Sequence, residues 1–394
     1  MHRIVLLGAT GYTGSRVLAN LADSPTTSEI VLVGRSTERL RRQARTVGVE
    51  CRTVQADTAA PRALDELLQP GDVVVATVGP FTDIGHEVAR SVARTGAVYL
   101  DSTGEPPFVD WMFRSLSDEA RAGGALLVPG FGYDYVPGNV AGWLAAQKAD
   151  EQPAAVEMGY FLWRYTAGSA DPYRQPSLRE MMSTATTPGT RESLVKVLGT
   201  PSFAFRADQA DRFGLEAQHT GQRLLRFNVA GRERPTITIG GSEHFGLPEV
   251  LPQLRSVDVG LGWFGPATTP IHCAGRFGGT LMTNRIVRRA ASAVGGRLPY
   301  ANHTPSIPTR TSVAARARDR SGNLVSEVTV DGPGPYELTA DLLARGAQHF
   351  AARGEHPVGV HGPLAALTPS TLTELAAACG LRDDQYPGVL SCED

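Results

Sequence analysis

Near the N-terminus Val5-Leu6-Leu7 runs straight into Gly8-Ala9-Thr10-Gly11-Tyr12-Thr13-Gly14, and this segment limits what the chain can fold into more than any other. An apolar run that reads as a strand ends in glycines spaced G-x-x-G-x-x-G, and the helical pattern Ser15–Leu21 follows at once. Strand, tight turn and helix start together make a cradle for a pyrophosphate. The missing side chains let the phosphates approach the backbone, and free N–H groups at the positive end of the helix hold their charge. Gly8, Thr10, Gly11, Tyr12, Thr13 and Gly14 are therefore the candidate phosphate-binding residues. Tyr12 is expected to pack on the cofactor or on a neighbouring strand.

The next strand bears on which dinucleotide is bound. Glu29–Val33 ends in Gly34-Arg35-Ser36, where an NAD-selective site would carry an Asp or Glu for the ribose 2′-hydroxyl. No carboxylate stands there. Arg35 can pair with a 2′-phosphate and Ser36 can donate a hydroxyl to it, with Arg39 one turn further on. NADP(H) is the expected cofactor; the plainer reading of Arg35 is a side chain snorkelling at a strand end.

The first part alternates strand and helix as a doubly wound α/β domain does. Thr37–Val47 reads as a polar helix, Glu50–Gln55 as a short strand, and the segment around Arg62–Leu68 as a further helix after Asp57. Asp57 is either an N-cap or a carboxylate reaching the adenine amino group. Asp72–Val78 is the purest buried strand, ending in Gly79-Pro80-Phe81, which should border the nicotinamide because ligands lie at the carboxyl ends of parallel strands. A helix from Gly85 to Ala97, a strand ending at Asp101 and a strand Ala125–Val128 complete the pattern.

Beyond about residue 150 longer strands appear, at 156–163, 223–229, 235–239, 256–263, 311–317 and 324–330, with helices near 190–198 and 283–294. Pro201 and the stretch Gly240–Pro252 read as mobile loops, a candidate lid. Tyr336–Ala344 resumes helix. The expected organisation is a Rossmann-type doubly wound parallel sheet over 1–150, a second α+β domain on a mixed or antiparallel sheet over 151–335, and C-terminal helices 336–394 packing back on the first domain.

With 394 residues, 42% of them hydrophobic, the chain can bury a large core, and its net charge of −2 gives no electrostatic case for nucleic acid or an anionic membrane. No apolar run reaches membrane-span length and the chain enters a strand at once, so a cytoplasmic location is expected. Cys51, Cys273, Cys379 and Cys392 lack C-x-x-C spacing, and the histidines show no metal-ligand spacing, so no metal is expected. The excess of arginine over lysine fits a GC-rich bacterial genome. Neither Lys148 nor Lys196 has a tyrosine four residues before it, which removes the Tyr-x-x-x-Lys chemistry of short-chain alcohol dehydrogenases.

Gly8–Gly14, Val33-Gly34-Arg35, Val78-Gly79-Pro80-Phe81, Tyr99–Glu105 and Gly130-Phe131-Gly132-Tyr133-Asp134-Tyr135-Val136-Pro137, in this order, resemble the saccharopine dehydrogenase-like NADP-binding family. The resemblance covers the first third of the chain and returns at Tyr336-Glu337-Leu338-Thr339-Ala340. Within the family the chain is most similar to the trans-acting enoyl reductase branch. The resemblance implies that the glycine loop and Arg35 bind NADP, that Gly79, Pro80 and Phe81 shape the nicotinamide pocket, and that Asp101 and the Tyr133-Asp134 turn face the substrate.

The expected activity is NADPH-dependent reduction of a polarised double bond. It is either the C=C of an enoyl thioester from polyketide, lipid or secondary metabolism, or the C=N of an imine as in saccharopine dehydrogenase-like enzymes; a non-catalytic NADP-binding role is the alternative from another class. An enolate would need a donor, Tyr133 or a backbone N–H, whereas an iminium would suit a carboxylate, Asp101 or Asp134. Asp101 also reads as a turn cap with Thr103, Glu105 as a surface residue and Tyr99 as core. Trp163, Tyr165, Phe203, Phe205, Trp263 and Phe264 either line an apolar cavity or form core. The expected partner is a small-molecule or carrier-bound substrate, with Arg285, Arg288 and Arg289 as a landing surface for an acidic carrier. Family analogy suggests a homodimer through the second sheet.

Overall fold

The apolar runs of the first part form six parallel strands: β1 (Ile4–Leu7), β2 (Ile30–Gly34), β3 (Arg52–Gln55), β4 (Val73–Ala76), β5 (Val98–Asp101) and β6 (Leu126–Val128). This is a computed structural model that describes residues 2–24, 28–60, 62–168, 171–198, 200–207, 211–273 and 304–383. The strand order is β6-β5-β4-β1-β2-β3, and Gly359–Val360 adds a seventh strand beside β6. The chain winds outward from β1 to β3 and then restarts at β4 on the other side of β1. The loops after β1 and β4 therefore diverge and leave a crevice at their carboxyl ends. β1, β4 and β5 are buried at every residue, which is why they read as unbroken apolar runs.

The chain divides into two units, residues up to Val136 with Tyr336–Cys379, and Pro137–Pro335 with the residues from Gly380. From Pro137 onward the helix Val136–Gln147 belongs to the second unit, so the first ends short of 150. The segment that returns to the first unit stops at Cys379, because Arg382–Asp383 pairs with a strand of the second sheet.

In the second unit β7 (Ala155–Arg164), β8 (Pro201–Arg206), β9 (Leu215–His219), β10 (Leu224–Val229), β11 (Arg232–Ile239), β12 (Ser256–Leu261), β13 (Thr309–Arg318) and β14 (Leu324–Gly332) join Arg382–Asp383 in one nine-stranded sheet. β7 pairs with β12 in parallel and with β13 antiparallel, so the sheet is mixed.

Pro201 begins β8, held between β9 and β12, and is not in a loop. Gly240–Pro252 is not a lid: Ser242, Glu243 and His244 are buried, and Glu243–Val250 is helical. Residues 62–68 form successive tight turns, such as Asp65 N on Arg62 O at 3.1 Å and Leu67 N on Leu64 O at 3.0 Å, because Pro70-Gly71 stops the segment. The helix expected from Gly85 starts earlier and spans Phe81–Thr95. Trp163, Phe203, Trp263 and Phe264 are buried core; Trp163 stacks on Phe161 at 5.7 Å, while Tyr165 is 41% exposed. The 283–294 segment with Arg285, Arg288 and Arg289, and Cys392, lie outside the described residues. Among the described residues no helix is long and apolar enough to cross a membrane, and no group of three or more His, Cys, Asp or Glu could hold a metal.

Candidate cofactor and proton-transfer site

Close packing at the glycines shapes the loop after β1. Gly8 has φ +87°, and a Cβ there would lie 2.6 Å from Thr77 Oγ1; at Gly14 an added Cβ would overlap Gly8 O. Thr77, at the end of β4, fixes the loop by donating its hydroxyl (2.9 Å) and its N–H (3.1 Å) to Leu7 O. Thr10 and Gly11 are exposed at the tip. The helix Tyr12–Asp23 starts with no side-chain cap and no acidic residue in its first turn, so its N-terminus is open to an anion. These residues fit a dinucleotide pyrophosphate. The Tyr12 ring meets Tyr336 edge-on at 5.1 Å, and the Arg16 guanidinium lies over it at 3.7 Å.

At the end of β2, Arg35 is exposed and forms no ion pair among the described residues. Ser36 is the N-cap of the helix Thr37–Val47, its Oγ accepting Arg39 N at 3.4 Å, which leaves the hydroxyl proton free to donate outward. Asp57 is exposed and caps its own turn through Ala59 N at 3.2 Å, beyond the end of β3.

At the end of β4, Gly79 is exposed, and the Gly79–Pro80 peptide is cis. Phe81 turns inward, 5% exposed, with its ring 5.6 Å from Phe108. Glu105 is buried at 2% exposure and is not a surface residue. Its carboxylate accepts Phe81 N (2.9 Å), Thr82 N (3.0 Å) and the Thr82 hydroxyl (2.6 Å). A residue from the loop after β5 thus caps the helix Phe81–Thr95, which has no cap of its own and begins at Phe81 for this reason.

Asp101 has no solvent exposure, and its Oδ1 accepts both Thr103 N (2.9 Å) and Gly130 N (2.8 Å). It caps its own turn and ties the end of β5 to the loop after β6. Burial pushes its carboxyl up to about 7, against the two backbone donors that pull it down. Tyr99 Oη is raised well above its ordinary value, chiefly by burial and then by Asp101; it lies close enough to Asp101 to act on it, yet no hydrogen bond of normal geometry joins them.

Asp134 lies in the turn after β6, before a cis peptide to Tyr135. An added Cβ at Gly104 would be 2.8 Å from Asp134 Oδ2, so the loops after β5 and β6 meet at this carboxyl. The residue is half-buried, and burial pushes its carboxyl up to about 7. No described residue hydrogen-bonds its side chain. Tyr133, beside it, is only 1% exposed, and its N–H donates to Thr339 Oγ1 at 3.0 Å.

The sequence does not mark Thr77, Glu105 or Thr339 as site residues. Thr339 had a signal in the Tyr336–Ala340 motif, and Glu105 one in the Tyr99–Glu105 motif; Thr77 had none beyond its place at a strand end. The second unit holds a buried polar cluster with no motif behind it. Tyr160 Oη accepts Gly138 N (2.9 Å) and donates to Glu243 Oε1 (2.5 Å). His244 is held by Phe205 N at 3.2 Å, and burial pushes it down to about 4, so it is neutral.

An open glycine cradle at the β1–β4 divergence of a doubly wound sheet defines a dinucleotide-binding protein of Rossmann type. Residues 4–128 match the family described as Saccharopine dehydrogenase NADP binding domain. The chain is 37% identical over 140 residues to a trans-acting enoyl reductase of Mycobacterium leprae, and 34% identical over 140 residues to one of Mycobacterium tuberculosis H37Rv. The similarity spans about a third of those relatives, 34% of each, and 35% of this chain. In fold the whole chain is similar to a saccharopine dehydrogenase of Saccharomyces cerevisiae, at a TM-score of 0.58 and 12% identity over 98% of this chain and 99% of that one. It is also similar to a homospermidine synthase of Legionella pneumophila, at a TM-score of 0.56 and 10% identity over 100% and 95%.

Proposed function

We propose that the protein is an NADPH-dependent reductase of a polarised double bond, with an α,β-unsaturated acyl thioester as substrate. The observation that carries the reading is the placement of the half-buried Asp134 carboxyl where the loops after β5 and β6 meet, at the carboxyl end of the parallel sheet whose residues 4–128 match the NADP-binding family. The relatives named trans-acting enoyl reductase support the thioester. NADPH, when bound, supplies the hydride. The chain's own residues do the rest: the loop Gly8–Gly14 holds the pyrophosphate, and Arg35 and Ser36 hold the 2′-phosphate. Asp134 in its protonated form gives a proton to the α-carbon as the β-carbon takes the hydride, and then regains one from water. Asp101 acts through the backbone it ties, holding Gly130 and Thr103.

A carboxyl as the proton source also suits an imine, which a nearby acid would keep as the more electrophilic iminium. Purified protein is therefore assayed for NADPH oxidation against unsaturated acyl thioesters of several lengths and against amine plus 2-oxoacid pairs. Turnover with thioesters alone supports the reading. Turnover with the amine pairs alone replaces it by C=N reduction, and measurable NADPH binding with no turnover on either set favours a non-catalytic role.

The assignment of Arg35 predicts that Arg35→Ala weakens NADPH binding by about 1–3 kcal/mol, roughly 5- to 150-fold, and leaves NADH almost unchanged. A fluorescence titration with both cofactors checks this. Equal losses for the two would remove Arg35 from the 2′-phosphate.

A further inference from the structure

The Tyr336–Ala340 motif opens the helix Pro335–Ala352, which touches two functional segments of the first unit. On one side lies the helix Tyr12–Asp23: Tyr336 meets Tyr12 edge-on, and Asp341 accepts Asn20 Nδ2 at 2.5 Å. On the other lies the turn that carries Asp134. Thr339 Oγ1 accepts Tyr133 N at 3.0 Å, and an added Cβ at Gly132 would come within 2.7 Å of Thr339 Cγ2. Seven residues on, and so on the same face of the helix, Gly346 lets Phe131 approach so closely that a Cβ at Gly346 would overlap the ring. Both residues of the helix face are matched to the turn, Thr339 by a hydrogen bond and Gly346 by the absence of a side chain.

The turn is held at two backbone N–H groups by buried side chains from elsewhere in the chain, Gly130 N by Asp101 and Tyr133 N by Thr339. Asp134 follows the second of these directly. A side chain without a partner of its own can hold one direction only if the backbone beneath it is fixed.

We propose that Thr339 is a positioning residue, its hydroxyl fixing the backbone of Tyr133 so that the Asp134 carboxyl points at the reacting carbon. The inference rests on the proposed role of Asp134. Thr339→Val keeps the size of the side chain but puts a methyl group where the acceptor was, against the Tyr133 N–H, and so displaces the turn. The expected result is a fall in kcat of about 10- to 100-fold with KM for the acceptor and Kd for NADPH within about twofold of wild type. Thr339→Ser, which keeps the hydroxyl, should stay within about threefold of wild-type kcat. Amide hydrogen exchange at Tyr133 should be slow in the wild type and Thr339→Ser and fast in Thr339→Val.

Wild-type kcat in Thr339→Val, an equal loss in Thr339→Ser, or a parallel loss of NADPH affinity would each overturn the assignment. If Thr339→Val does not fold, Thr339→Ala removes the acceptor without adding bulk and is held to the same readings. Absence of turnover in the wild-type protein would defeat the proposed reaction and not the clamp. In that case the exchange rate at Tyr133 decides whether Thr339 holds the turn.

Discussion

Asp134→Asn is expected to lower kcat by about 10²- to 10⁴-fold while NADPH binds as it does to the wild type. Asparagine has nearly the same shape, so the turn beneath Gly104 is kept and only the transferable proton is lost. The pH dependence gives a second reading with a definite sign. Burial holds the Asp134 carboxyl up to about 7, so its protonated form dominates below that pH and is depleted above it. A group needed as an acid then gives a wild-type rate that is level at lower pH and falls about tenfold per unit above 7. The Asn variant should show no such fall. Steady-state rates with the best acceptor between pH 5 and 9 measure both effects, and a variant with wild-type rate and unchanged profile would clear Asp134 of any part in proton transfer.

The largest expected effect on stability comes from Glu105→Ala. It strips the acceptor from Phe81 N, Thr82 N and the Thr82 hydroxyl together, at the start of a helix with no other cap. Buried donors left without a partner, and the lost negative charge at a helix N-terminus, together cost about 3 kcal/mol. For a unit of this size that corresponds to a fall in Tm of about 6–12 °C. Glu105→Gln, which still offers a carbonyl oxygen, should lose about half as much. Urea or thermal unfolding compares the three proteins, and an Ala variant within about 0.5 kcal/mol of wild type would show that solvent or a neighbour takes over the cap.

Asp134 and Glu105 differ in how much of their role neighbouring residues reveal. Asp134 is a candidate in the sequence because the family resemblance turns Tyr133-Asp134 toward the substrate and because the turn follows a strand, where ligands of a parallel sheet collect. Glu105, in the loop after the preceding strand, reads as a surface residue in the sequence, although it is buried and holds the first turn of a helix that starts 24 positions earlier in the chain. The difference lies in range. A turn at a strand end is visible in neighbouring residues, whereas the partner of a lone glutamate is set by which loops the sheet brings together. The same limit explains Gly240–Pro252, whose glycines and prolines suggested a mobile loop. Ser242 and Glu243 are buried there against Asn139 and Tyr160, on elements about a hundred positions away.

Local pattern in the sequence was enough for the doubly wound sheet, the glycine cradle, Arg35 at the second strand and the mixed second sheet, because each depends on spacing or on apolar runs a few residues long. Tertiary structure alone decided that Glu105 is a cap, that Asp101 ties two loops, that Phe81 faces inward and that Thr339 holds the turn of Asp134. The physical reason is that a buried polar group must find its partner wherever the fold places one, and nothing in the adjacent residues records where that is.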